Sequence, residues 1–395
     1  MFVFPLVMGM LNKGQKEILQ PKRAALFTPG PLNTTDRVKQ TMLQDYGSRD
    51  PNFMKFLNQI RNQLLQLCNV QKGEYECILM QGSGTFSVEA AIGTAVGREN
   101  QKVLVLVNGS YGERAKKIMD YYNIPNIVIK FEEDQQVDND KAIETLKENS
   151  DITHIFCIHS ETTSGVINDV KKLGRMIKEH NSQIQFIVDA MSSFGVYQLD
   201  LKEDKIDYVV ASSNKNLQGV PGFGFVLARN EVFTQTKGNS RSLSLDLFDQ
   251  WQAMEKTGQF RFTPPTHVIR AFKEALDEYL EEGGCQKRFE RYSKNQRFLT
   301  EEFSKLGFKT YLDKSIQGCI ITTFLVPKDK NFNFKDLYSY LAERNIVLYP
   351  GKTTQIETFR IGSIGDHHAE DYSYLIKFTK EYLEINNIQI PVRYE

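Results

Sequence analysis

From about residue 76 onward, short and almost continuously apolar runs alternate with longer stretches in which apolar residues recur every three or four positions. Runs of the first kind suit strands covered on both faces and stretches of the second suit helices with one buried stripe, so the pattern predicts β-α units building a mostly parallel sheet. Seven strands are expected, at 77–80, 103–107, 127–131, 154–158, 186–188, 208–211 and 223–227. Helical patterns at 88–96, 113–122, 140–148 and 170–180 have lengths suited to crossovers between them. Past residue 229 the rhythm breaks. Residues 237–267, rich in Ser, Gly and Pro with interspersed aromatics, are expected to form a long loop, a feature that usually serves a site or a partner. The remainder predicts helices at 268–282, 286–306, 334–344 and 369–385, with extended pieces at 319–325, 346–349 and 358–361. The expected fold class is α/β: a large domain over 26–266 with a seven-stranded, mostly parallel sheet, a smaller α+β domain over 267–395, and an N-terminal arm over 1–25.

Composition narrows the function. With 395 residues the chain can build two cored domains, and 41% hydrophobic with 25% charged residues is the profile of a globular protein. Lys and Arg (49) balance Asp and Glu (49), so no global field draws the chain to nucleic acid or to an anionic membrane, and an anionic substrate has to be held by local charge. The cysteines, at 68, 77, 157, 285 and 319, are odd in number and form no C-x-x-C, which argues against a disulfide framework or a thiolate zinc site. The histidines lack metal-ligand spacing, and no metal is expected. The apolar stretch 1–11 is too short to span a bilayer and lacks a basic leader. The cytoplasm is the default expectation, with an organelle presequence kept open.

Three features fall at the C-terminal ends of predicted strands, where open α/β sheets place their ligands. Gly82-Ser83-Gly84-Thr85 follows the first strand and precedes a helix, offering backbone N–H groups and a positive helix end to a phosphate. It is neither a dinucleotide fingerprint, since Ser87 takes the last glycine position, nor a P-loop. Asp189 ends an apolar strand, where a carboxylate is costly unless it meets a cation such as a protonated ring nitrogen; an Asx turn or helix cap is the plainer alternative. Lys215, within Ser-Ser-Asn-Lys-Asn-Leu-Gln-Gly (212–219), stands where its ammonium can be desolvated into a Schiff-base amine, against the alternative of a solvated surface lysine. Each feature alone is weak. Together in one sheet they make up the parts of a pyridoxal 5′-phosphate site: Lys for the aldehyde, Asp for the ring nitrogen, the Gly-rich turn for the phosphate.

Ten ordered motifs carry a resemblance. They are LFTPGPLNTT (26–35), LMQGSGTFSVEA (79–90), LVNGSYGERA (106–115), HSETTSG (159–165), VDAMSSFG (188–195), SSNKNLQGVPGFGF (212–225), RSLSLDLFDQW (241–251), FTPPTHV (262–268), YPGKTTQ (349–355) and FRIGSIGD (359–366). In these the chain resembles the class V, fold type I aminotransferases. The resemblance implies that Lys215 forms the Schiff base, that Asp189 pairs with the pyridinium nitrogen, and that Ser83, Gly84 and Thr85 hold the phosphate. It also implies that Tyr111 stacks on the ring, that Thr162 approaches the ring hydroxyl, and that Arg360 binds a carboxylate or phosphonate. Thr263 would reach the phosphate of a neighbouring subunit, because the family builds its sites across a homodimer interface. Arg241 is a further candidate anion contact. GVPGFGF and RSLSLDLFDQW favour amino transfer between 2-aminoethylphosphonate and pyruvate, a step of phosphonate degradation, over an alanine–glyoxylate or serine–pyruvate aminotransferase. A cysteine desulfurase is disfavoured because Cys319 is expected in core. A catalytically lost scaffold is disfavoured by Lys215 and Asp189, and a nicotinamide dehydrogenase by the missing third glycine.

Overall fold

The computed structural model describes residues 21–394, so all but the last five positions of the expected N-terminal arm lie outside the described residues. All seven predicted strands are present: β1 (Tyr75–Gln81), β2 (Val103–Val107), β3 (Asn126–Lys130), β4 (His154–Ile158), β5 (Gln185–Asp189), β6 (Tyr208–Ser212) and β7 (Phe223–Arg229). They form one sheet in the order β1-β7-β6-β5-β4-β2-β3. Neighbours from β6 to β3 run parallel, and β7 alone is reversed, antiparallel to both β1 and β6. Alternation along a strand divides the core. Val103, Val105 and Val107 face one apolar cluster while Leu104 and Leu106 face the other, so both sides of the sheet are dry.

Helices α1 (Pro51–Gln66), α2 (Gly84–Ala95), α3 (Ser110–Tyr121), α4 (Asn139–Glu148) and α5 (Val170–His180) belong to this layered body. The first lies ahead of residue 76, where the alternating pattern begins. Its signals are local: Asp50 accepts from the Asn52 N–H, Pro51 stands at the first turn, and Phe53, Leu57, Ile60 and Leu64 share the buried face. The expected long loop at 237–267 is corrected in its middle, where α6 (Leu247–Thr257) forms. Asp246 caps it by accepting from the Asp249 N–H, Leu247, Phe248 and Met254 are buried, and left-handed Gly258 ends it.

The C-terminal part contains α7 (Thr266–Glu282), α8 (Gly284–Lys305), α9 (Phe334–Ala342) and α10 (Ala369–Ile385). With them is a three-stranded antiparallel sheet, order β8 (Ile321–Leu325), β10 (Thr358–Gly362), β9 (Tyr349–Pro350). The hydrophobic clusters divide differently from the expected 266/267 boundary. Ile269, Phe272, Leu276 and Tyr279 of α7 pack into the large sheet's core. Conversely, Ala25–Leu26 pairs in parallel with Ile346–Val347, and Phe27 enters the small domain's core, stacked on His367 at 4.4 Å. Among the described residues no helix is long and apolar enough to cross a membrane.

Candidate active site

At the carboxyl edge of the large sheet, the segments following β1, β2, β4, β5 and β6 surround a cleft of about 520 Å³. Of the predicted residues, Ser83, Gly84, Thr85, Tyr111, Thr162, Asp189 and Lys215 line it.

Asp189 is the last residue of β5, in register with Ile158 and Val210. Its Oδ1 accepts from the Met191 N–H at 2.8 Å, and Oδ2 has no hydrogen-bond partner among the described residues. Burial raises its pKa to about 6, Glu161 reinforcing the shift while the Met191 N–H, Lys215 and Arg114 oppose it. Lys215 follows β6 in a turn that Asn216 ties down by donating to Ser192 O and Phe194 O, both at 3.1 Å, so one side chain couples the lysine turn to the segment after Asp189. Lys215 Nζ donates to Pro29 O at 2.6 Å. A Cβ on Gly30, whose φ is +115°, would lie 2.8 Å from that nitrogen, so glycine leaves the space the amine occupies. Burial lowers the lysine pKa, with Tyr111 and Asp189 opposing and the cations Arg360 and Lys352 reinforcing.

The start of α2 is open. Ser83 is extended and makes no side-chain cap, and the N–H groups of 83–85 meet no acceptor among the described residues. Arg114 donates to Thr85 Oγ1 at 3.0 Å, adding a cation to this helix end. Arg114 was not singled out from the sequence, although it lies one helical turn beyond Tyr111.

Tyr111 opens α3, and the start of that helix is held from elsewhere. Gly109 supplies no capping side chain. Instead Ser110 N–H donates to Thr163 Oγ1 at 2.9 Å, Thr163 Oγ1 donates to Glu161 Oε1 at 2.6 Å, and Gly112 N–H donates to Glu161 Oε2 at 3.4 Å. A Cβ on residue 109 would stand 2.5 Å from Glu161 Cδ. Glu161 is fully buried; burial raises its pKa, and the Thr163 hydroxyl with the helix N–H groups works against that. This carboxylate, also missed from sequence, sits against the positive end of the helix that presents Tyr111. Burial would raise the phenol's pKa, but Thr162, Lys215 and Lys352 outweigh it and the net direction is down.

Arg360, in β10, is 2% exposed and does not line the cleft; it lies behind Thr162. Its Nε donates to Pro350 O at 2.9 Å and one amino group to Thr162 O at 2.7 Å. Burial lowers its pKa, opposed by Tyr111 and Glu161. Thr263 is exposed and outside the cleft, its carbonyl accepting from Gln81 Nε2 at 3.2 Å. Arg241 is corrected. Its guanidinium donates to Val96 O at 2.8 Å and Gly97 O at 2.9 Å, beyond the C-terminus of α2, the end opposite the 83–85 cradle. Unpaired helix carbonyls are natural partners for a cation, and they take this one away from the cleft. Cys319 is buried, its Sγ accepting from the Tyr197 hydroxyl at 3.4 Å.

The residues present fit pyridoxal phosphate. Among the described residues Asp189 Oδ2 and the 83–85 N–H groups open to the cleft without a hydrogen-bond partner, and Ser160 Oγ and Ser212 Oγ are buried in the cleft wall without one. Such buried polar atoms are costly unless a polar ligand meets them.

A family model described as aminotransferase class-V matches residues 39–364. A Bacteroides fragilis (strain YCH46) protein described as 2-aminoethylphosphonate–pyruvate transaminase is 47% identical over 358 residues, covering 90% of this chain and 98% of its own length. A Lysinibacillus sphaericus (strain C3-41) protein of the same description is 43% identical over 362 residues, covering 92% and 98%. Among solved structures, ureidoglycine–glyoxylate aminotransferase from Bacillus subtilis matches with a TM-score of 0.84 at 21% identity, over 95% of this chain and 96% of that one, a likeness of fold.

Proposed function

The chain belongs to the class V aminotransferase family, and from that premise we propose that it passes the amino group of 2-aminoethylphosphonate to pyruvate, with pyridoxal 5′-phosphate as cofactor, yielding phosphonoacetaldehyde and L-alanine. The observation that carries the reading is the meeting of Lys215, Asp189 and the 83–85 helix start in one cleft, in a chain 47% identical to a protein described by that activity.

When bound, the cofactor supplies an aldehyde that condenses with amines and a ring that takes up the electron pair left by a departing proton. The 83–85 N–H groups and Arg114 would hold its phosphate, Tyr111 would lie against the ring, and Thr162 would approach the ring hydroxyl. Asp189 keeps the ring nitrogen protonated: a carboxyl that burial raises to about 6 is returned to its ionised form by a cation beside it. Lys215 is the amine that would hold the aldehyde at rest. Once displaced by substrate, its Nζ takes the proton from the amino-bearing carbon and returns one to the cofactor side, which a lysine with a lowered pKa does readily near neutral pH. In the second half, Lys215 moves the proton the opposite way as pyruvate is converted to alanine. Arg360 attracts the anionic end of each substrate.

The site is completed by a second copy of the chain. Phe86, Leu243 and Phe262 expose apolar surface close to the segments that form the cradle. In the dimer this face is covered and Thr263 reaches the neighbouring phosphate.

The test is an absorption titration of the holoenzyme with 2-aminoethylphosphonate, L-alanine and L-serine separately, without keto acid. Loss of the visible cofactor band at the lowest concentration with the phosphonate supports the reading. Bleaching by alanine or serine but not by the phosphonate overturns the substrate and assigns an alanine–glyoxylate type of reaction.

A further inference from the structure

We propose that Lys352 is a specificity-determining residue that, together with Arg360, receives the phosphonate end of the amino donor and sets the preference of the site for a dianion over a carboxylate. The inference rests on the substrate reading above and adds a second cation to it.

Lys352 lies in the turn 351–357 between β9 and β10, and that turn is moored across the domain boundary. Thr354 N–H donates to Glu133 Oε2 at 2.8 Å and Gln355 Nε2 to Glu132 Oε2 at 3.0 Å. So held, Lys352 Nζ stands 3.3 Å from the Tyr111 hydroxyl and 4.6 Å from the centre of its ring. Arg360 approaches the same phenol from β10. Tyr111 lines the cleft, so the two cations stand behind a hydroxyl in its wall, where Lys215 also acts on the same phenol.

Neither cation is neutralised by what it bonds. Lys352 donates to a phenol, and Arg360 donates to two backbone carbonyls. A carboxylate needs one positive charge and two in-plane donors; with Nε bonded to Pro350 O, Arg360 keeps for this the fork formed by its two amino groups, one of which also meets Thr162 O. A phosphonate is tetrahedral and, like a phosphate ester, takes its second charge near neutral pH. Its third oxygen lies out of the plane of the fork and calls for a separate donor, a role suited to an ammonium acting as a point charge. The pairing of a planar cation with a compact one, joined by a phenolic hydroxyl, therefore matches three oxygens carrying two charges.

The test compares the wild-type holoenzyme with Lys352→Met, which keeps the apolar stem, and Lys352→Arg, which keeps the charge. Single-turnover bleaching by 2-aminoethylphosphonate and by L-alanine measures donor preference, and calorimetric titration with ethylphosphonate and propionate measures anion binding without chemistry. Loss of one charge-assisted contact should lower the phosphonate-to-alanine ratio of kcat/KM about tenfold or more in Lys352→Met, mainly through KM, with recovery to within about threefold in Lys352→Arg. Ethylphosphonate binding should weaken about tenfold while propionate changes by less than about twofold. An equal loss for both donors or both anions overturns the inference, because Lys352 would then act only by packing Tyr111. A wild-type ratio in Lys352→Met, with a wild type that does use the phosphonate, overturns this inference alone. A wild type that responds to alanine but not to the phosphonate overturns the substrate reading and this inference with it.

Discussion

Lys215 and Asp189 depend on being withdrawn from water with no full counter-charge of their own. Each carries a pKa displaced toward the neutral form mainly by burial, the lysine downward and the aspartate up to about 6. For Asp189 this has a measurable sign in cofactor-free protein. The unfolded chain releases its proton near 3.8 while the folded chain holds it until about 6, so folding binds the extra proton and stability falls as pH rises between those values. Relative to Asp189→Asn, which titrates nothing, the wild type should lose on the order of 2 kcal/mol across that window and no more above it. Denaturant unfolding of both proteins from pH 4 to 7 checks this, and a difference that does not vary with pH would remove burial as the cause. Both residues were legible in the sequence because Asp189 ends one apolar strand and Lys215 stands just past another. Glu161 and Lys352 were not: the first is linked to Tyr111 only through Thr163 and Gly112, and the second only through a turn contributed by the other domain.

At the scale of elements, the decisive feature is a helix start stabilised from a distance. The N–H groups at the start of α3 are met by Thr163 and Glu161, which follow β4, and this exchange sets the first turn that carries Tyr111. Gly109 makes room for it. Gly109→Ala would place a methyl group 2.5 Å from Glu161 Cδ, and overpacking of this kind costs about 1–3 kcal/mol. The variant should unfold at lower denaturant and bind pyridoxal phosphate more weakly than wild type; wild-type values for both would show that the helix start tolerates the methyl and that Glu161 does not position Tyr111. The pattern alone announced where α3 lay but not what capped it, since the cap is some fifty residues away. It also passed over α6, whose Asp246 cap and buried Leu247, Phe248 and Met254 sit inside a stretch dominated by Ser, Gly and Pro.

For the molecule as a whole, the cleft is a junction. The segments that follow the large sheet's strands line it, Arg360 and Lys352 of the C-terminal part stand behind Thr162 and Tyr111 of its wall, and Ala25–Leu26 with Phe27 packs into the C-terminal part. The proposed dimer is a further level. Leu243 is 73% exposed, and its carbonyl accepts from Arg261 at 2.7 Å, close to Phe262 and Thr263. Leu243→Glu should produce a monomer on sedimentation and weaken cofactor retention through loss of the neighbouring Thr263; a monomeric wild type, or a dimeric variant with full retention, would count against the shared site.

The sequence by itself determined the seven strands, the α/β class, and the placement of Asp189 and Lys215 at or just past strand ends, because apolar periodicity and position along a strand are local properties of the chain. Tertiary structure alone decided which distant groups meet. It turned Arg241 onto the carbonyls beyond α2, brought Glu161 under α3, and drew Lys352 to Tyr111. Long polar side chains settle on whichever unpaired charge or backbone group folding brings within reach, and no local pattern records that choice.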